Sequence, residues 1–150
     1  MHNMDDPVTG DFDHLIVEVC REHYLRAHTL FGALGLYRGQ PSILAALCER
    51  DGRTHSELAA ALRIQPATVT KMVRRMEQAG FVTRRPDPND QRVSRVYLTE
   101  AARAIHAEVG RVRQALAEET LQGFRPEEIA LLRRFLIQMR DNLARANDDE

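Results

Sequence analysis

The chain of 150 residues has no tryptophan, and aromatic side chains make up only 5% of it. Sheet-rich folds draw on aromatic and β-branched residues, so this scarcity, together with modest Gly and Pro, predicts helices packed through Leu, Ala, Ile and Val. Cysteine is nearly missing: Cys20 and Cys48 are the two, both inside apolar helical patterns. That placement predicts reduced core thiols and no disulfide framework. The longest stretch without Asp, Glu, Lys or Arg is Ala27 to Tyr37, 11 residues, too short to cross a membrane. The opening MHNMDDPVTG is acidic and polar, unlike a secretion signal, so a cytoplasmic protein is expected. Catalytic signatures are lacking as well: there is no G-x-S-x-G, no phosphate-binding glycine loop, no H-E-x-x-H and no pair of carboxylates in an apolar setting. Neither an enzyme nor a cofactor is expected.

What the chain does have is apolar content of 43%, enough for one domain, or one domain with a helical extension. Its formal net charge of −1 conceals a segregation. Between Arg63 and Arg95 eight basic residues face three acids, a local charge of +5 that leaves −6 on the rest. A concentrated positive stretch in an otherwise acidic chain is the footprint expected of a nucleic-acid binder. Lys71 is the only lysine among the 21 basic residues, and arginine is the cation suited to bidentate contact with phosphate and guanine edges.

Apolar residues recur at helical spacing from Asp11 until Gly35, predicting a long first helix. Pro41 opens a short second helix that Gly52 closes. Thr54 and Glu57 form a T-x-x-E capping box that starts a third, HSELAAALR. After a tight joint, Pro66 starts a fourth, with Val69, Met72, Val73 and Met76 inward, ending at Gly80. Two short helices in this order, the second carrying Thr68, Thr70, Lys71, Arg74 and Arg75 outward, make a helix-turn-helix pattern. Helical spacing then stops. FVTRR and RVSRVYL flank DPND, whose Asp-Pro start suits a type I turn, predicting a β-hairpin. Thr99 caps a fifth helix to about Gln122 with Ile105, Val109, Val112 and Leu116 on one face, and Pro126 opens a sixth striped by Ile129, Leu132, Leu136, Met139 and Leu143.

The expected fold is mainly α with a small β-hairpin wing: a winged helix-turn-helix over residues 36–99, and a helical dimerisation domain built from the N- and C-terminal helices, residues 11–35 and 100–146. The terminal helices carry more apolar surface than one small domain needs, so a second copy of the chain is the expected partner. A symmetric dimer would match a pseudo-palindromic double-stranded DNA site.

The sequence resembles the MarR family of bacterial transcriptional regulators over about Asp11 to Ala146, most specifically in ELAAALRIQPATVTKMVRRMEQAGFVTRRPDPNDQRVSRVYLTEAA. The resemblance implies a homodimer whose two winged lobes enter successive major grooves. It implies further that the wing's D-x-R, here Asp90 and Arg92, places an arginine in the minor groove with the aspartate orienting it. A guanidinium suits a narrow minor groove of enhanced negative potential, and a neighbouring carboxylate limits the rotamers lost on binding. The expected DNA contacts are Gln65, Pro66, Ala67, Thr68, Thr70, Lys71, Arg74, Arg75, Arg84, Asp90, Arg92 and Arg95. Gln65 departs from the family, which often has Ser or Asp before the proline; glutamine is a poor N-cap.

The family implies three ways of sensing. One branch detects organic hydroperoxides through a first-helix cysteine helped by tyrosines, which would make Cys20 the redox residue with Tyr24 and Tyr37 near it; its place in an apolar stripe points instead to inert packing. A few members sense zinc, but His14, His23, His28 and His106 form no H-x-x-x-H pair and no cysteines cluster, so no metal site is expected. Small aromatic anions bind in the family between the first helix and the winged lobe, where Arg21, His23, His28, Tyr37 and Arg38 are the polar candidates. The resulting reading is a homodimeric, sequence-specific DNA-binding repressor released by such an effector. A cysteine-based redox regulator of the same fold and a winged-helix protein-interaction adaptor are the alternatives.

Overall fold

The computed structural model describes residues 11–37 and 39–148. Among these residues six helices and three strands run in the order α1 (Phe12–Gly32), α2 (Gln40–Glu49), β1 (Arg53–Thr54), α3 (His55–Leu62), α4 (Pro66–Gln78), β2 (Val82–Pro86), β3 (Ser94–Leu98), α5 (Glu100–Thr120) and α6 (Pro126–Asp148). The chain is mostly helical with a small antiparallel sheet, as its composition predicts. Two compact units divide it, residues up to Leu116 and residues from Ala117.

The core lies in the first unit. Leu36, Ile43, Leu44, Leu47, Leu58, Val69, Val73, Met76, Val82 and Val96 are wholly or almost wholly shielded from solvent, and Ala102 and Val109 of α5 join them. The inward residues of α4 fall at positions 69, 73 and 76, the spacing of one helical face. The wing has one strand more than the expected hairpin. The sheet order is β1-β3-β2, with Arg53 opposite Val96 and Thr54 opposite Arg95. Thr54 ends this strand and also caps α3: its side chain accepts from Glu57 N at 3.1 Å while Glu57 Oε2 accepts from Thr54 N at 2.9 Å, the reciprocal box expected from T-x-x-E.

Asp51 ties the turn before β1 to the end of β3 and the start of α5. Its Oδ1 accepts from Leu98 N at 2.9 Å and its Oδ2 from Arg103 Nη2 at 2.6 Å. Thr99 caps α5 as expected, accepting from Ala102 N at 3.3 Å while donating to Gly80 O at 2.6 Å.

Neither cysteine is a core thiol. Cys20 is exposed because the α1 stripe on which it lies, with Phe12, Leu15 and Val19, stands out of the chain's own core until Phe31. Cys48 is exposed although it follows the buried Leu44 by one helical turn, because it stands in the last turn of α2, past the buried Leu47 and next to the exposed Glu49. Its Sγ lies 3.3 Å from His106 Nδ1, and partial burial pushes the thiol up from its ordinary range.

In the second unit α6 buries none of its residues, and Leu131, Phe135, Leu136 and Leu143 are exposed. Leu121, Ile129, Leu132, Leu136 and Ile137 line a shallow apolar groove there.

Candidate nucleic-acid interface

Helix α4 is placed by its joint with α3. Arg63 takes the left-handed conformation (φ 52°), which lets Ile64 N donate to Ala59 O at 3.1 Å and turns the chain sharply. Pro66 then disfavours helical geometry in the residue before it, so Gln65 is extended and α4 starts at the proline. Gln65 makes no side-chain cap, as its residue type predicts. With Val69, Val73 and Met76 inward, Gln65, Pro66, Ala67, Thr68, Thr70, Lys71, Arg74 and Arg75 are all exposed.

Thr70 is less free than its exposure suggests. Its hydroxyl donates to Pro66 O at 3.1 Å, and its Oγ1 lies 3.2 Å from His55 Nδ1. With the hydroxyl proton so placed, the consistent tautomer of His55 carries its proton on Nδ1, and the bare Nε2 is buried with no hydrogen-bond partner among the described residues. Burial first, and the Arg84 charge second, hold His55 below the ordinary histidine value. His55 escaped sequence reasoning, since nothing in T-H-S-E-L marks a histidine folded against the neighbouring helix.

The wing resolves its own crowding of arginines. Arg85 and Arg95 stand directly opposite across β2 and β3, where like charges repel. Arg85 turns its guanidinium over the ring of Tyr97, 4.8 Å from the centroid. Arg95 turns the other way: its Nε donates to Asp87 Oδ2 at 2.5 Å and its Nη1 to Gly52 O at 2.8 Å. Arg95, one of the residues expected at DNA, has its head group held at the base of the wing by these bonds. Arg84 is paired too, its Nε donating to Glu77 Oε2 at 2.7 Å and linking β2 to the last turns of α4.

Asp87 is buried, and its Oδ1 accepts from the backbone N–H of Asn89 at 2.8 Å and of Asp90 at 3.2 Å, an Asx turn that builds the DPND corner. The Arg95 hydrogen bond first, and the Asn89 N–H next, hold Asp87 below the usual carboxylate range. At the tip, Asp90 Oδ1 accepts from Arg92 Nε at 3.1 Å and Oδ2 from Arg92 Nη2 at 3.3 Å, a two-point fork. That bond, with one from Arg92 N second to it, keeps the Asp90 carboxyl low. The Arg92 side chain is nevertheless 91% exposed. The D-x-R spacing thus yields the oriented arginine expected of it.

Of the candidate ligand residues, the structure brings His28 and Tyr37 together, ring centroids 5.7 Å apart, and adds Tyr24 at 6.3 Å from His28. Tyr37 is anchored by its backbone N–H, which donates to Gln40 Oε1 at 2.9 Å. Arg21 and His23 are exposed, with Arg21 3.5 Å from Glu22. Arg38 lies outside the described residues. Among the described residues no cluster of three or more His, Cys, Asp or Glu could hold a metal ion, and no helix is long and apolar enough to cross a membrane.

A short helix, a sharp joint, a second helix with a cationic outer face and a three-stranded wing together define a winged helix-turn-helix of the DNA-binding kind. Comparison with known proteins narrows this class. The MarR family profile matches residues 36–94. The uncharacterized HTH-type transcriptional regulator YwoH of Bacillus subtilis is 32% identical over 118 residues, covering 77% of this chain and 85% of YwoH. The crystal structure of the transcriptional regulator SlyA superposes with a TM-score of 0.78 at 27% identity, covering 90% of this chain and 95% of that one. The same fold occurs in a mutant MarR from E. coli, solved in complex with operator DNA, with a TM-score of 0.78, 24% identity and coverage of 92% and 99%. The chain belongs to the MarR family of transcriptional regulators.

Proposed function

We propose that the chain is a homodimeric, sequence-specific repressor that acts on operator DNA in the cytoplasm and is released by a small aromatic anion. The observation that carries the DNA-binding part is the Asp90–Arg92 fork: a guanidinium held in one orientation and almost fully in solvent, beside the cationic face of α4. In this reading Gln65, Pro66, Ala67, Thr68, Thr70, Lys71, Arg74 and Arg75 lie along the major groove. Arg84 and Asp90 flank the wing, and Arg92 enters the minor groove. Residues 36–99 serve as the DNA-binding lobe, and residues 11–35 and 100–146 as the dimerisation domain.

The exposed apolar residues of α1, and separately those of α6, support the dimer, since faces of that kind are covered in stable proteins. The Tyr24, His28 and Tyr37 rings support an aromatic effector, offering π faces to a flat ring.

The test is selection from a random duplex pool with purified protein at two salt concentrations. The expected product is a pseudo-palindrome with half-site centres about one helical turn apart. Its affinity should fall steeply with salt, by about 0.9 in the logarithmic slope per phosphate neutralised. Recovery of unrelated sequences with a shallow slope would overturn the proposal in favour of a protein-interaction adaptor.

A further inference from the structure

The part of the wing beyond the third strand has little to hold it. β1 supports β3 only at Arg95 and Val96, so the corner from Asp87 to Val93 depends on its own bonds. Those bonds form a continuous route. Glu57, the capping residue of α3, lies 3.7 Å from Arg95 Nη1; Arg95 donates to Asp87; Asp87 accepts from Asp90 N; and Asp90 holds Arg92 by the fork. Further links stiffen the route: Asp87 N donates to Val93 O at 2.8 Å, and Val93 N donates to Asp90 O at 2.9 Å. The Arg95 side chain is 29% exposed, against 91% for Arg92.

We propose that Arg95 and Asp87 are positioning residues for DNA recognition: they buckle the wing to the start of α3 and aim Arg92 without touching DNA themselves. This rests on the DNA-binding reading above. A wing fixed before contact spares the complex the entropy of ordering the tip, so the buckle contributes to affinity by pre-organisation. Asp87 and Arg95 hold each other charged, the carboxyl low and the guanidinium high, so the buckle persists across the neutral range.

The test uses Arg95→Met, which keeps the aliphatic stem and deletes the guanidinium, Arg92→Ala, and the double variant. Binding to the duplex recovered from the pool is measured over a range of salt, with circular dichroism confirming that each variant is folded. Arg95→Met should weaken binding about threefold to tenfold, the cost of ordering one or two side chains. Its salt slope should equal the parent's, and the loss should vanish when Arg92 is already alanine. As the conservative variant, Asp87→Asn, which can still accept from the Asn89 and Asp90 N–H groups, should lose less than Arg95→Met.

A slope reduced by about 0.9 in Arg95→Met would show a direct phosphate contact and overturn the proposal. So would unchanged affinity, or an equal loss in both backgrounds, which would mean general structural support. A parent with no steep slope at all would instead remove the DNA-binding reading on which the proposal stands.

Discussion

His55 Nδ1 lies 3.2 Å from Thr70 Oγ1, joining the first residue of α3 to the outer face of α4. The other ring nitrogen is buried and has no partner among the described residues, so the folded protein resists a second proton on this ring. The unfolded chain accepts one near pH ~6.5. As the pH falls through that value the unfolded state binds a proton that the folded state does not, and stability is lost until the depressed folded pKa is reached. Calorimetry from pH 8 to 5 should therefore show a falling Tm in the parent and a flatter profile in His55→Gln. Parallel profiles would mean that other groups carry the dependence.

Gly52 and Gly80 both adopt positive φ, 71° and 83°, but their surroundings differ. A Cβ on Gly52 would sit 2.8 Å from Tyr97 Cε1, on the ring that Arg85 covers, whereas one on Gly80 would meet nothing within 4 Å. Gly80→Ala should cost about 1 kcal/mol in urea unfolding, the penalty of the left-handed conformation alone. Gly52→Ala should cost at least about 1 kcal/mol more, because an overpacked ring is added to it. Equal costs would show that the ring yields freely.

Arg63 presents the converse case, the only non-glycine residue with positive φ among those described. Arg63→Gly should stabilise the lobe by about 0.5–1 kcal/mol, since relief of the strain exceeds the added freedom of the unfolded chain. A lower urea midpoint would show that the arginine side chain makes contacts worth more than the strain.

Leu132 and Leu136 line the apolar groove beside α6, and Leu136 is 50% exposed. If a second copy covers this face, replacing both with Asp should convert the dimer to monomer or unfold it, as read by sedimentation with circular dichroism. A folded mutant dimer would place the interface elsewhere.

Much of this fold was legible because its signals are local. Thr54 with Glu57, Pro66 before an apolar stripe, and Asp90 two residues ahead of Arg92 each act within one turn of chain, so spacing alone predicts their geometry. β1 was not legible, since two residues cannot display a strand's alternation. The pairing of Arg95 was not legible because it looks like Arg92 in sequence; its direction is decided by the register that sets it opposite Arg85 and by Asp87, eight residues earlier. Cys20 misled for another reason. Periodicity reveals that a helix has an apolar stripe, but not whether the same chain covers it.

The strand order β1-β3-β2 leaves β2 at the rim of the sheet, with one side of its backbone unpaired among the described residues. Rims of this kind recruit strands from other molecules. Here the rim carries Arg84 and Arg85 and closes on Pro86, which has no N–H to offer. Two such rims approaching each other would bring four cations together and find a proline at the end of each. The arginines that give the wing its positive charge thus also oppose edge-to-edge pairing of two sheets.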